Sequence, residues 1–463
     1  MTLSRFAFVL PALVLGACTL SPRYQSPALA VSDQWPVADA AQGASADTLP
    51  WKSVFLDARL QRVIDRAIAN NRDLRVAVLN VQKARAGYLM TRASLFPSLD
   101  ATAANSHSLT PASVSGTGSA IKANVYSADL SVPSYELDLF GRVQSQSKAA
   151  FETYLQAGET RRASQIALIS ETAQAWLTLG ADIDLLKLAQ ETLKTRDDTV
   201  GLTKRMFDLG TASETDVHND EILAEQARAD VAQFQAQVTQ DRDALTLLAG
   251  ADVPDADLPD GLPGEGLILA DLPADLPSKV LTRRPDVLAA EHGIKAANGD
   301  IGAARAAFFP TIGLTGSTGN ESSALGHLFD AHTGAWSFTP SVSLPIFAGG
   351  YNVANLKSAK TSKEIAVAQY DKAVQSAFKD VADALAVRAT IDTRLGATEK
   401  AASAADSNLK LEQARYTRGV DSYLDQLDAE RTDYSAQQAA IGVRLLRAAN
   451  LVTLYGALGG GVD

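Results

Sequence analysis

One cysteine in 463 residues leaves no means of building a disulfide framework or a paired-cysteine metal or redox site. The five histidines are scattered and carry no companion ligands at metal-binding spacing; only His327 and His332 lie close together, in a loop-like stretch. Basic residues are in the minority, 42 against 53 acidic ones, for a net charge of −11. That balance argues against nucleic acid as a partner, because neutralising phosphates takes clustered Lys and Arg. No segment reaches 18 continuous apolar residues, so a membrane, if crossed at all, is crossed by strands. Proline is absent from residues 134–253 and from 346–463, runs of 120 and 118 residues. At the chain-average rate each would hold about four. Proline is kept out of helix interiors because it lacks an N–H and clashes with the preceding turn. Two very long helical regions are therefore expected, in a chain long enough for two or three domains.

What is present starts with an export signal. Residues 1–17 combine Arg5, an apolar stretch over residues 6–15 broken by Pro11, and a small-residue end at Leu15-Gly16-Ala17 before Cys18. A Cys at the first mature position resembles the bacterial lipobox, in which the thiol takes a diacylglycerol and the amino terminus a further acyl chain. Cys18 is thus the expected lipid attachment point, each buried CH₂ contributing ~0.8 kcal/mol of anchoring. Thr19 rather than Asp follows it, which favours export to the outer membrane. Residues 18–50 are low in complexity and read as an extended tail.

The chain then repeats itself. Residues 73–97 align with 286–310 without a gap, and seven of 25 positions are identical, among them the closing Phe96-Pro97 and Phe309-Pro310. Further on, Gly210, Ser213, Asp216 and Glu221 correspond to Gly419, Ser422, Asp425 and Glu430. The organisation expected is a first repeat over 51–250, a Pro/Gly/Asp-rich linker over 251–282 and a second repeat over 283–463.

Each repeat follows one grammar. A helix of about 22 residues ends at Phe-Pro, where proline disfavours helical geometry in the residue before it. Two strand-like segments follow. Trp336, Phe338, Val342 and Leu344 alternate with Ser337, Thr339, Ser341 and Ser343, a period of two with one apolar face. Tyr126, Ala128, Leu130 and Val132 do the same before a phase switch at Pro133 that implies a bulge. Residues 106–120 and 316–334, rich in Ser, Gly and Thr, read as loops, and 98–105 as a weak strand. The proline-free runs then carry heptad-like seams: Ile166, Ile169, Ala173, Trp176 with Leu168, Thr172 and Leu179 beside them, and Val374, Phe378, Val381, Leu385. Two seams on one helix point to two neighbours, as in a ring of helices. A helix from Arg142 to Asp208 would be about 100 Å long.

Four amphipathic strands cannot close a membrane barrel, and an open edge in lipid is not viable, so other copies must complete the sheet. Two, three or four copies satisfy geometry alone. The chain resembles the outer membrane efflux protein family, the TolC-like outer membrane factors, and within it the NodT/OprM-type lipoprotein branch. The resemblance spans the whole mature chain. It rests on Leu276-Pro277-Ser278 with Arg283-Arg284-Pro285-Asp286, on residues 303–310 (AARAAFFP), on 135–142 (YELDLFGR), on 344–350 (LPIFAGG) and on 415–423 (RYTRGVDSY). It implies an α+β membrane protein whose homotrimer forms a 12-stranded outer-membrane β-barrel continued by a periplasmic α-helical barrel. An inner-membrane RND pump and a periplasmic adaptor feed such a duct.

The resemblance also assigns roles. The hairpin tips Leu209-Gly210-Thr211 and Arg418-Gly419-Val420 are expected to receive the adaptor, the glycines serving as turn residues in either case. Leu424, Asp425 and Asp428 are expected at the periplasmic gate, where threefold repetition would make apolar and acidic rings favouring cations. The first repeat keeps Asp216 but has Asn219 for the second carboxylate, which biases the gate to the second hairpin. Asp421 stands where some relatives hold a basic residue, so no salt-bridge latch is carried over. Nothing supports an enzyme or a cofactor beyond the lipid on Cys18. Asp425 and Asp428 lack the surroundings of a hydrolase pair, and Gly459-Gly460-Gly461 is followed by no phosphate-loop Lys. The leading expectation is passive export of drugs, toxic small molecules or metals. The alternatives are the duct of a type I protein secretion system and a lipid-anchored envelope spacer without a pore.

Overall fold

A computed structural model describes residues 19–28, 31, 32, 35, 50–264 and 278–461. The signal segment, Cys18, most of the tail and part of the linker lie outside these residues. The described chain divides into two compact units interleaved in sequence, one made of residues up to 27, 82–156 and 290–369, the other of 28–81, 157–289 and 370–463.

The first unit holds the only sheet among the described residues. Its strands are β1 (Asp100–Thr110), β2 (Ile121–Glu136), β3 (Thr311–Ser322) and β4 (Gly334–Ser343), paired antiparallel in that order. The register carries the expected two-faced pattern across the strands. Ala101, Leu130, Thr318 and Trp336 lie opposite one another, and so do Val132, Gly316 and Phe338. Their neighbours on the other face are small and polar: Ser131, Ser317 and Ser337 form one row, with Ser317 and Ser337 hydroxyls 2.8 Å apart. Trp336 and Phe338 are 79% and 63% exposed, so the apolar face has no protein over it in a single chain. The register shifts between Val132 and Tyr135, at the bulge implied by the phase switch around Pro133. Tyr135 thereby returns to the apolar row, opposite Leu314 and Pro340.

One expectation needs correction. β1 runs to Thr110 and β3 to Ser322, so residues 106–110 and 316–322 of the Ser/Gly/Thr-rich stretches read as loops are strand. A side chain on the polar face of an antiparallel ladder needs no bulk, and the ladder hydrogen bonds come from the backbone whatever the residue.

In the same unit the helical stretches beside the sheet receive the N-terminal tail. Ser21 lies in a notch made by Gly302, where a Cβ would collide with its hydroxyl and backbone nitrogen. Arg305 donates to the Leu20 carbonyl at 3.0 Å, and the Tyr24 hydroxyl donates to Glu291 at 2.8 Å. Lys295 sits over the Tyr24 ring. His292 contacts Glu152 at 2.7 Å, both largely buried.

The second unit is helical. It contains α1 (Trp51–Val54), α2 (Ala58–Asn70) and α5 (Glu214–Ala249), and α8 (Tyr423–Ala457) near the end of the chain. Four further helices contribute parts of their length: α3 (Arg72–Ala93), α4 (Arg142–Asp208), α6 (Pro285–Ala306) and α7 (Tyr351–Thr417). The proline-free runs become α4–α5 and α7–α8. The α4 seam residues Ile169, Thr172, Ala173, Trp176 and Leu179 are wholly buried, as are Val374 and Val381 of α7. Burial of a large apolar side chain stabilises by about 1.5–3 kcal/mol. Trp176 also donates its indole N–H to the Asp257 carbonyl at 3.0 Å, which ties the linker to the helices. The Arg284 guanidinium bridges Asp286 at 2.7 Å and Asp380 at 3.4 Å and donates to the Ala457 carbonyl at 2.6 Å.

The tail notch is directly testable. Gly302→Leu should expel residues 19–27, and trypsin cleavage at Arg23 of the folded protein should accelerate by on the order of tenfold. The melting temperature should change little, because the helices keep their own packing.

Candidate functional site at the helical tips

Both hairpins turn by the same device. In the first, Gly210 takes a left-handed conformation with φ 71°, and its N–H donates to the Phe207 carbonyl at 2.8 Å. The Thr211 N–H donates to Met206 at 2.8 Å. In the second, Gly419 also has φ 71°, with Gly419 N–H to Tyr416 at 2.8 Å and Val420 N–H to Arg415 at 3.0 Å. These are paired bonds that satisfy the last carbonyls of a helix, and only glycine accepts the required φ without cost.

The return helices start alike too. The Asp216 N–H donates to Ser213 Oγ at 3.1 Å, while the Asp216 carboxylate accepts from the Ser213 N–H at 2.9 Å. The Asp425 N–H donates to Ser422 Oγ at 3.4 Å, and its carboxylate accepts from the Ser422 N–H at 3.1 Å and hydroxyl at 2.6 Å. Asp216 and Asp425 therefore each close a capping box, a reciprocal pair that starts a helix.

Of the residues expected at the gate, the structure separates Asp425 from the other two. Leu424 is 71% exposed and Asp428 is exposed with no ion pair among the described residues. They stand four apart on α8 and so share one helix face. At the turns, Leu209 and Val420 are 79% and 63% exposed, and Gly210, Thr211, Arg418 and Gly419 are exposed beside them.

The structure adds a latch that the sequence did not reveal. Arg415 holds Asp421 across the turn through Nη2···Oδ1 at 2.8 Å and a second contact from Nε. The hydrogen bond from Arg415 holds the Asp421 carboxyl below the usual range, and the one with Asp421 pushes Glu412 up. An acid six residues after an Arg, across a glycine turn, was the available signal.

The second tip lies against the first hairpin. The Tyr416 ring packs on Tyr423 at 5.4 Å, and its hydroxyl is pushed up by burial and then by the charges of Asp216 and Asp220. Asp220 is only 3% exposed and one of its oxygens has no partner. Burial pushes its carboxyl up to about 6; a hydrogen bond with Thr203 works against this, and Glu430 and Asp216 add to it. Arg196 donates to the Leu223 carbonyl at 2.8 Å and lies over the Tyr434 ring. Tyr434 in turn donates to Asp230 at 2.9 Å. Farther along the first hairpin, Asp182 is pushed up to about 7 by burial and then by the neighbouring Asp241 carboxyl.

A carboxyl that titrates near 6 when folded but near its ordinary value of 3.8 when unfolded binds more protons in the native state between those values. Its stabilising contribution is present at low pH and is lost as pH rises through about 6. Asp220→Asn keeps an acceptor for Thr203 and removes the charge. It should raise the melting temperature at pH 7.5, by the equivalent of about 2 kcal/mol, and the gain should vanish by pH 4. A gain that is the same at both pH values would contradict the titration.

Comparison with known proteins shows the family of the chain. The family model described as outer membrane efflux protein matches residues 63–251 and 276–460. The toluene efflux pump outer membrane protein TtgC of Pseudomonas putida is 46% identical over 100% of this chain and 96% of its own length. OprJ of Pseudomonas aeruginosa is 43% identical over 98% of this chain and 95% of its own. Among solved structures, a membrane protein from Pseudomonas aeruginosa superposes with a TM-score of 0.91 at 41% identity, covering 96% of this chain and 98% of that one. The open state of the Neisseria gonorrhoeae MtrE channel gives 0.86 at 41% identity, covering 96% and 99%. The α+β fold is that of the TolC-like outer-membrane channels. The chain is an outer-membrane channel subunit of an efflux system and belongs to the outer membrane efflux protein family.

Proposed function

We propose that three copies of this chain form one duct, their twelve strands closing a barrel in the outer membrane and their helices a periplasmic tube. Drugs, toxic small molecules or metals would pass through it without energy from this protein. The observation that carries the reading is the exposed apolar face of the β1–β4 sheet beside free strand edges. Lipid accepts the first and forbids the second. The names of relatives speak of toluene and antibiotics, which favours small-molecule cargo delivered by an inner-membrane RND pump through a periplasmic adaptor. We read the sequence as two tandem repeats, 51–250 and 283–463, after a tail that Cys18 anchors by lipid.

At the tips, Leu424 and Asp428 are the gate residues, and each becomes a ring of three in the trimer. Asp425 supports the gate through the capping box that fixes the start of α8. Leu209, Gly210 and Thr211, with Arg418, Gly419 and Val420, offer exposed turns for the adaptor's hairpin. The Arg415–Asp421 pair stiffens the second turn and so fixes where Leu424 points.

Planar-bilayer recording tests the duct. Wild-type protein should give rare, cation-preferring openings, and Asp428→Ala should raise open probability severalfold while lowering the preference for cations. Purified oligomer that conducts in neither form would count decisively against a duct. In cells, deletion should increase susceptibility to a panel of solvents, dyes and antibiotics; unchanged susceptibility with loss of a secreted protein would redirect the reading to protein export.

A further inference from the structure

A cavity of about 600 Å³ lies within the second unit, where α8 runs between α4 and α7 and the start of α6 closes one end. Gln174 of α4 donates to Thr453 of α8 at 3.3 Å, and Asn450 of α8 donates to the Ala384 carbonyl of α7 at 3.0 Å. All the walls therefore come from one chain. Most of the lining is apolar: Ile166 and Ala167 from α4, Ala384 and Val387 from α7, Leu446 and Ala449 from α8. A volume of this size suits a drug-sized molecule.

Helix phase places the cavity. Trp176, Phe378 and Tyr455 each stand two residues from a lining residue, Gln174, Asp380 and Thr453 in turn, and two residues turn a helix by about 200°. Those three aromatics carry the tail and the short helices. Arg59 of α2 lies over the Trp176 ring, Phe55 meets Tyr455 edge-on at 5.1 Å, and Trp35 of the tail stacks on Phe378 at 4.8 Å. A tail that starts from a lipid anchor runs outside a tube of helices. The cavity, on the far face of the same three helices, thus opens toward the bore; this step rests on the duct reading above.

The charged part of the wall selects the sign of an occupant. Arg284 is its one cation, and Asp286 and Asp380 hold it at 2.7 and 3.4 Å with its side chain only 10% exposed. Asp383 is paired with Lys379 at 2.6 Å. Glu171 is exposed and has no ion pair among the described residues. We propose that this cavity is a transit site for lipophilic organic cations in the wall of the duct, their apolar bodies against Val387 and Leu446 and their positive charge facing Glu171. A compact hydrated cation gains nothing from the apolar wall. An organic anion meets four acids and a single guanidinium that is already engaged.

Fluorescence titration of the full-length protein in neutral-lipid nanodiscs, with empty discs as background, tests this. The probes are ethidium, tetraphenylphosphonium, tetramethylammonium and the anion anilinonaphthalene sulfonate. Ethidium should bind once per chain and be displaced by tetraphenylphosphonium but not by tetramethylammonium. Ala167→Trp, at an exposed lining position, fills the cavity from α4 and should weaken ethidium by about tenfold or more. Glu171→Gln should weaken it by about threefold and leave the melting temperature unchanged. Anilinonaphthalene sulfonate binding as tightly as ethidium, or ethidium affinity unaltered in either variant, would overturn the assignment. So would a wild-type protein that binds no ethidium while Ala167→Trp dissociates the oligomer, since a second copy would then fill the groove. Binding without conductance in planar bilayers would leave the site standing and remove the duct; conductance without binding would do the reverse.

Discussion

A four-stranded sheet has two edges, and hydrocarbon tolerates neither. Each unpaired N–H or C=O in lipid costs several kcal/mol, so the outer strands β1 and β4 cannot be left as they are in one chain. Much else in the molecule answers to this one demand. The apolar rows through Leu130, Trp336 and Phe338 are useful only when the sheet is wrapped and lipid lies outside it. The serine and threonine rows are useful only when water lies inside. The helices that leave the sheet must then share whatever symmetry the strands adopt.

The parts of the fold that were legible in sequence are those set by exclusion and period. Missing prolines marked α4–α5 and α7–α8, and the change of phase at Pro133 marked the bulge in β2. Strand lengths were legible only on the apolar side. Ser106, Ser108 and Thr110 of β1 lie in a regular ladder, yet nothing in their chemistry distinguishes them from a loop. The tip turns were readable as glycines, and their capping boxes were readable in hindsight from Ser213-x-x-Asp216 and Ser422-x-x-Asp425.

What sequence could not show was contact between helices, within one hairpin or between the two. Asp220 looks like an ordinary surface acid on a polar helix, and only packing against the second hairpin buries it. Asp182 and Asp241 are 59 positions apart, and nothing local announces that two carboxyl groups will meet. Asp425 has a structural part that its charge alone did not announce. Its spacing to Asp428 suggests a joint role in charge, and its spacing to Ser422 also lets it close the capping box. Polar groups of this kind stabilise little, but they are sensitive to small shifts between helices, and the seam between the hairpins has several of them in one place.

The long helices α4 and α7 are each 67 residues, and their return partners α5 and α8 are 36 and 35. Equal length here acts as a mutual ruler. Removing one residue from either long helix would turn everything beyond it by about 100° and shorten it by about 1.5 Å. Buried seam residues would rotate to the surface, and one tip would fall out of step with the other. Insertions and deletions should therefore be tolerated in these helices only in multiples that restore the seam, and only when both hairpins change together. The two halves of the chain are free to diverge in sequence, but they are bound to evolve at the same length.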